Sequence, residues 1–120
     1  HHITLLNCDI NTGFKVGSTA SVCVDIEGEK LQGTGSGNGG FDAFMDAITD
    51  ILKRRDFSMP VLLDYEVHIP RGGQTDALTE CIITWQSGEH DFKTRGVDSN
   101  QVMAAVRATL RMVNLKLHSL

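Results

Sequence analysis

The stretch Thr19-Ala20-Ser21-Val22-Cys23-Val24-Asp25-Ile26-Glu27 decides the fold. Val22, Val24 and Ile26 alternate with Cys23, Asp25 and Glu27, the period of two that marks a strand with one covered face. Gly28 turns the chain back into a polar strand, 29–34, in which only Leu31 points inward. Before this hairpin, residues 3–10 read as another strand; after it comes the glycine-rich run 33–40. A helix follows. Phe41, Phe44, Met45, Ile48, Ile51 and Leu52 fall on one stripe, Asp42 and Asp46 occupy the first turns, and Lys53, Arg54 and Arg55 close the end, as the helix dipole favours.

Further along the chain the order repeats. Residues 61–69 alternate through Val61, Leu63, Tyr65, Val67 and Ile69; 70–75 turn, and 77–85 give another strand. Ser87 and Gly88 mark a hairpin, 89–94 a polar strand, and Asp98 with Gln101 three residues on reads as a capping box ahead of a second helix. Cys23 and Cys81 lie 58 residues apart, and Gly37 and Gly96 lie 59 apart. The spacing predicts a repeat in which each pair holds one place. The expected architecture is therefore α+β, two β-β-β-α repeat units with antiparallel sheets and a helix on one face of each. Unit one spans 3–58 and unit two 59–120 within a single domain, and His1 and His2 read as a tag remnant. One sheet face in each unit is left uncovered, so the two units are expected to cover each other or a second chain, and Tyr65, Val67 and Ile69 call for a partner surface. The expectation is a dimer.

Composition narrows the classes of function. The chain has 120 residues, 41% of them hydrophobic and 22% charged, enough to bury roughly two-thirds of its unfolded surface without staples. A net charge of −4 gives no basic footprint for phosphate backbones, so nucleic acid is not an expected partner. No membrane span is expected, because the longest apolar run, 59–63, is far below the roughly 18 residues needed. Cys8, Cys23 and Cys81 are odd in number and form no C-x-x-C pair, so they read as small buried hydrophobes in a reducing, cytoplasmic setting.

Gly35-Ser36-Gly37-Asn38-Gly39-Gly40 matches G-x-G-x-x-G and opens a helix. The dinucleotide reading fails, because the preceding strand is polar where a buried parallel strand is apolar, and the flanking strands form hairpins. No G-K-[ST] follows, which excludes a Walker loop. Two readings stay open: the glycines permit a tight strand-to-helix turn, or their backbone groups line a small-ligand site. His68 and His90 lie on polar strand faces beside Glu66, Glu89 and Asp91, yet no metal-ligand spacing accompanies them. They read as solvated surface. Asp42, Asp46 and Asp50 recur every four residues as the solvated side of the first helix. No catalytic constellation is visible.

At Gly37-Asn38-Gly39-Gly40-Phe41-Asp42-Ala43 the chain resembles the G-N-G-P-V-D-A turn of the C-terminal regulatory domain of 2-isopropylmalate synthase and its relative citramalate synthase. Leu63-Asp64-Tyr65-Glu66-Val67-His68, then Gly72-Gly73-Gln74-Thr75-Asp76-Ala77-Leu78, is similar to that family's strand and turn. Gly96-Val97-Asp98 before an Ala-rich helix ending at Asn114 is similar to its final signature. Gly40 stands where the family often has proline, and Phe44 where tyrosine is common.

The resemblance implies a feedback sensor in leucine biosynthesis that binds leucine, or isoleucine in the citramalate synthase branch, near a homodimer interface. The parent chain would be an acyltransferase, and its separate catalytic domain would carry the divalent metal and the acetyl-CoA and 2-oxo acid sites. No cofactor and no catalysis are expected of this chain itself. By position, the implied effector contacts are Gly17, Thr19, Ala20, Asn38, Phe41, Phe44, Ile48, Asp76, Ala77 and Leu78. Phe41, Phe44 and Ile48 are equally what any core-facing helix shows. A purely structural dimerisation domain is the competing expectation.

Overall fold

The computed structural model describes residues 2–13, 17–69 and 78–118. Two compact units, His1–Met59 and Pro60–Leu120, divide the chain. Unit one runs β1 (Ile3–Gly13), β2 (Gly17–Ile26), β3 (Glu29–Gly37) and α1 (Gly40–Lys53); unit two runs β4 (Val61–His68), β5 (Thr79–Ser87), β6 (His90–Asp98) and α2 (Gln101–His118). Each sheet has three strands in sequence order, all antiparallel, so the doubled β-β-β-α plan is what the chain adopts.

The period of two in β2 places Ser18, Ala20, Val22, Val24 and Ile26 beneath α1, all buried. From the helix, Ala43, Phe44, Ala47, Ile48, Ile51 and Leu52 meet them. Spacing had singled out Phe44, Ile48, Ile51 and Leu52 but passed over the two alanines. These lie directly over β3, where nothing larger than a methyl group fits. β3 runs on past residue 34 because its inward positions are glycines. A Cβ on Gly35 would stand 2.4 Å from the amide nitrogen of Ala47 and 2.5 Å from the carbonyl oxygen of Ala43. Helix and strand backbones therefore touch.

Gly96 does the same in unit two, where a Cβ would stand 2.1 Å from the Ala104 oxygen and 2.5 Å from the Ala108 nitrogen. Gly35, Ala43 and Ala47 thus correspond to Gly96, Ala104 and Ala108, each 61 residues later. Register agrees, since Ala20 pairs with Gly35 and Cys81 with Gly96. This corrects the repeat read from sequence. Cys81 is the counterpart of Ala20 on the buried face, whereas Cys23 pairs with Asn7 and Gln32 on the opposite face. In the first strands the offset is 57: both carry a bulge, with Leu6 and Leu63 as the extra residue. The connection between the first two strands is also longer in the second unit, ten residues (69–78) against three (14–16).

Three local expectations also change. The second hairpin turns at Gly88 and Glu89, with Ser87 paired to His90. Gly88 has φ +62° while Glu89 stays in the ordinary region, whereas the first hairpin needs positive φ at both Glu27 (54°) and Gly28 (88°). α2 is capped by Asn100, whose Oδ1 accepts from the Met103 amide at 3.1 Å; Asp98 stays in the β6 ladder opposite Thr79 and accepts from the Asn100 amide at 2.9 Å. Finally, Tyr65 and Val67 pair with Ile83 and Cys81 on the helix side of their sheet and are half-covered there. Ile69, by contrast, is 70% exposed.

Candidate functional site

The uncovered face of sheet one is polar. Alternation sends Asn11, Thr19, Ser21, Thr34 and Ser36 to that side together, since Thr19 pairs with Asn11 and Ser36 and Ser21 with Thr34, while their chain neighbours Ala20 and Gly35 take the helix side. A face of hydroxyls and amides is content in water, so hydrophobicity does not require it to be covered. That revises the premise on which the partner surface was expected.

A cavity of about 430 Å³ opens here, lined by Asn11, Thr19, Ala20, Ser21, Thr34, Gly35, Ser36 and Asp46. Its size is in the range of small-molecule sites, about 300–1,000 Å³. Along the same strand edge a second, of about 500 Å³, is lined by Ser21, Gln32, Gly33, Thr34, Asp50 and Arg54. α1 reaches over this edge with charged side chains. The Ser36 amide donates to Asp46 Oδ2 at 3.1 Å, and the Arg54 guanidinium donates to the Gln32 carbonyl. Hydroxyls, an amide and one carboxylate can take an ammonium and orient a small polar head group.

The implied effector residues are distributed as follows. Thr19 and Ala20 line the first cavity. Gly17 opens β2 at φ +78°, and a Cβ there would meet the Gly37 carbonyl oxygen at 3.0 Å, so Gly17 lies against the end of β3 from which exposed Asn38 follows. Phe41 sits half-buried in the first turn of α1, its ring stacked on Phe44 with centroids 6.2 Å apart. Phe44 and Ile48 are wholly buried. Leu78 is 52% exposed just before β5, while Asp76 and Ala77 lie outside the described residues. One end of unit one thus gathers Gly17, Asn38 and Phe41. Asn11, Ser21, Thr34, Ser36 and Asp46 line the cavity without being among the implied effector contacts; Asp46 reads in the sequence as part of the helix's solvated side and Ser36 as part of the glycine-rich motif, and only the shared parity of 19 with 21 and of 34 with 36 marks the strand positions.

Elsewhere the titratable groups do structural work. Burial, with Asp9 beside it, pushes the Cys8 thiol up; burial likewise raises Tyr65 and Cys81, which are hydrogen-bonded to each other. None of these favours a thiolate nucleophile. His68 Nε2 lies 3.3 Å from Glu66 on the exposed face. Among the described residues, no three His, Cys, Asp or Glu side chains cluster as metal ligands, and no helix is long and apolar enough to cross a membrane.

A family model described as the LeuA allosteric (dimerisation) domain matches residues 1–117. A protein of Methanothermobacter thermautotrophicus named for (R)-citramalate synthase is 33% identical over 112 residues, 93% of this chain and 22% of the relative. The 2-isopropylmalate synthase of Methylorubrum populi is 30% identical over 93% of this chain and 21% of its own length, and that of Carboxydothermus hydrogenoformans 34% identical over 88% and 20%. The chain therefore spans about a fifth of the length of the curated relatives it matches. With a match along nearly all its length and the doubled unit that its backbone shows, the chain belongs to the LeuA allosteric (dimerisation) domain family.

Proposed function

We propose that this chain is the effector-binding part of a 2-isopropylmalate synthase-type enzyme, with leucine as the feedback signal and isoleucine as the alternative of the citramalate synthase branch. The match to an allosteric domain over residues 1–117 carries the reading. Supporting it, Gly17, Asn38 and Phe41 converge at one end of unit one, and Thr19 and Ala20 border a cavity of suitable size. In this reading the divalent metal, acetyl-CoA and 2-oxo acid belong to a separate catalytic domain, and this chain contributes affinity alone. Effector binding then favours one arrangement of a homodimer and passes a coupling of ~1–3 kcal/mol to the catalytic part.

A second reading, a scaffold for dimerisation only, is favoured by the complete burial of Phe44 and Ile48, which a pure core role requires. A thermal-shift panel of the twenty amino acids separates the two. A ligand at a hundred times its Kd stabilises the fold by about 2.7 kcal/mol, which moves the midpoint by several degrees. A rise confined to leucine or isoleucine supports the sensor; no rise with any amino acid leaves the scaffold.

A further inference from the structure

Asn38 is followed by Gly39, the one Asn-Gly pair in the sequence. An asparagine side-chain amide is open to attack by the backbone nitrogen of the next residue, and a side chain on that residue obstructs the approach, so glycine is the permissive neighbour. The other four asparagines precede larger residues and are fixed by regular structure. Asn7 and Asn11 lie in the β1 ladder opposite Cys23 and Thr19, Asn114 lies within α2, and the Asn100 side chain caps that helix through the Met103 amide. Asn38, by contrast, is exposed in the two-residue joint between β3 and α1. Among the described residues nothing holds its side-chain amide or the Gly39 N–H; the Gly39 carbonyl alone is engaged, by the Ala43 amide at 3.0 Å. The surroundings are open as well, since a Cβ on Gly39 would meet nothing within 4 Å except Asp42 Oδ2 at 3.9 Å.

We infer that Asn38-Gly39 is a site of spontaneous covalent modification whose co-reactant is water. The Gly39 nitrogen attacks Asn38 Cγ and gives up its proton. A new N–Cγ bond closes a succinimide ring as the Cγ–Nδ2 bond breaks, and the side-chain nitrogen leaves as ammonia. Water then opens the ring: addition at Cγ gives aspartate, and addition at the main-chain carbonyl carbon of residue 38 gives isoaspartate, with the chain running through the former side chain. Nothing is oxidised or reduced, and either product adds one negative charge to a chain of net charge −4. The two products differ in what they do to the fold. A carboxylate just before the N-cap Gly39 suits the helix dipole, so aspartate leaves the joint intact. Isoaspartate lengthens the main chain where β3 ends hard against α1: a Cβ on Gly37 would stand 2.6 Å from the Asp42 Cβ and 3.0 Å from the Ala43 nitrogen.

Ageing the folded chain in warm, mildly alkaline buffer, with ion exchange and peptide mass mapping, tests the inference. An acidic species should accumulate with release of ammonia, carry both products at residue 38, and form at a rate within about tenfold of that in urea, because the fold leaves this peptide unprotected. Gly39→Ala, placed where φ is −133° and a side chain is accepted, should fold and age at least about tenfold more slowly. Asn38→Asp should elute with the aspartate product and melt close to the parent, and the isoaspartate fraction should melt lower. Deamidation at Asn7, Asn11, Asn100 or Asn114 ahead of Asn38, a Gly39→Ala chain that ages at the parental rate, or protection of the folded chain by more than about tenfold overturns the site. An isoaspartate fraction that melts with the parent overturns the strained joint. No amino-acid ligand enters these measurements, so the sensor reading stands or falls separately.

Discussion

The Cβ that Gly96 lacks would stand 2.1 Å from the carbonyl oxygen of Ala104. No real Cβ tolerates such an approach to a backbone atom, so α2 lies on β6 only because the side chain is absent. Gly96→Ala must lift the helix from the strand and open the packing around Met112 and Val113, both fully buried. We expect a loss of about 3 kcal/mol in urea unfolding, at the upper end of overpacking costs. Gly35→Ala should behave alike against Ala43 and Ala47. Glycine at Gly28, where a Cβ meets nothing within 4 Å, serves as a control for crowding, its cost coming from φ alone.

Trp85 is wholly buried, and its indole N–H donates to Thr94 Oγ1 at 2.9 Å, while that hydroxyl donates to the Ala108 carbonyl at 2.7 Å. Thr94→Val keeps the shape and strands the indole donor. The expected cost is about 1–3 kcal/mol. In a Trp85→Phe background the same change should cost markedly less, which a double-mutant cycle by chemical denaturation measures.

Asp56 closes α1 in the left-handed region at φ +56°, with the Phe57 amide donating back to the Leu52 carbonyl at 3.1 Å. Glycine is the residue that this helix-ending geometry favours, and a carboxylate is also misplaced at the negative end of the dipole. Asp56→Gly should raise stability by about 1 kcal/mol, and Asp56→Asn by less. A higher thermal midpoint checks both; a lower one for glycine would contradict the assignment of the cap.

Asp98 is held below its ordinary range by the Asn100 amide first and then by the Arg107 side chain. Its folded value is lower than its unfolded one, so the carboxylate's contribution is fully present above the unfolded value and drains away as pH falls through the folded one. The acid limb of stability from about pH 5 downward should therefore be shallower in Asp98→Asn, with the two proteins converging at the lowest pH. Parallel limbs would contradict that cause.

Much of this architecture was legible because alternation and helical spacing are local. Val22, Val24 and Ile26 announced their face by parity, and Phe44, Ile48 and Ile51 by the period of a helix. The repeat's true offset was not. Matching Cys23 to Cys81 uses identity, but their separation puts them on opposite faces, and only pairing register reveals that Ala20 is the counterpart. Asn100 was passed over as a cap because Asp98 offers the same side-chain chemistry two residues earlier, and strand pairing to Thr79 decides between them. For the candidate site, the turn at Gly37 and Asn38 was readable as a motif. The polar cavity across Asn11, Thr19, Ser21, Thr34 and Ser36 joins three strands, and nothing along the chain brings those positions together before the sheet forms.

Calorimetric titration of the folded chain with leucine, and separately with isoleucine, tests the sensor account most directly. Saturable heat with one of the two, weakened by Thr19→Val or Phe41→Ala without loss of fold, is the result it predicts. Absence of heat with both at millimolar concentration, from a chain shown to be folded and dimeric, would contradict it.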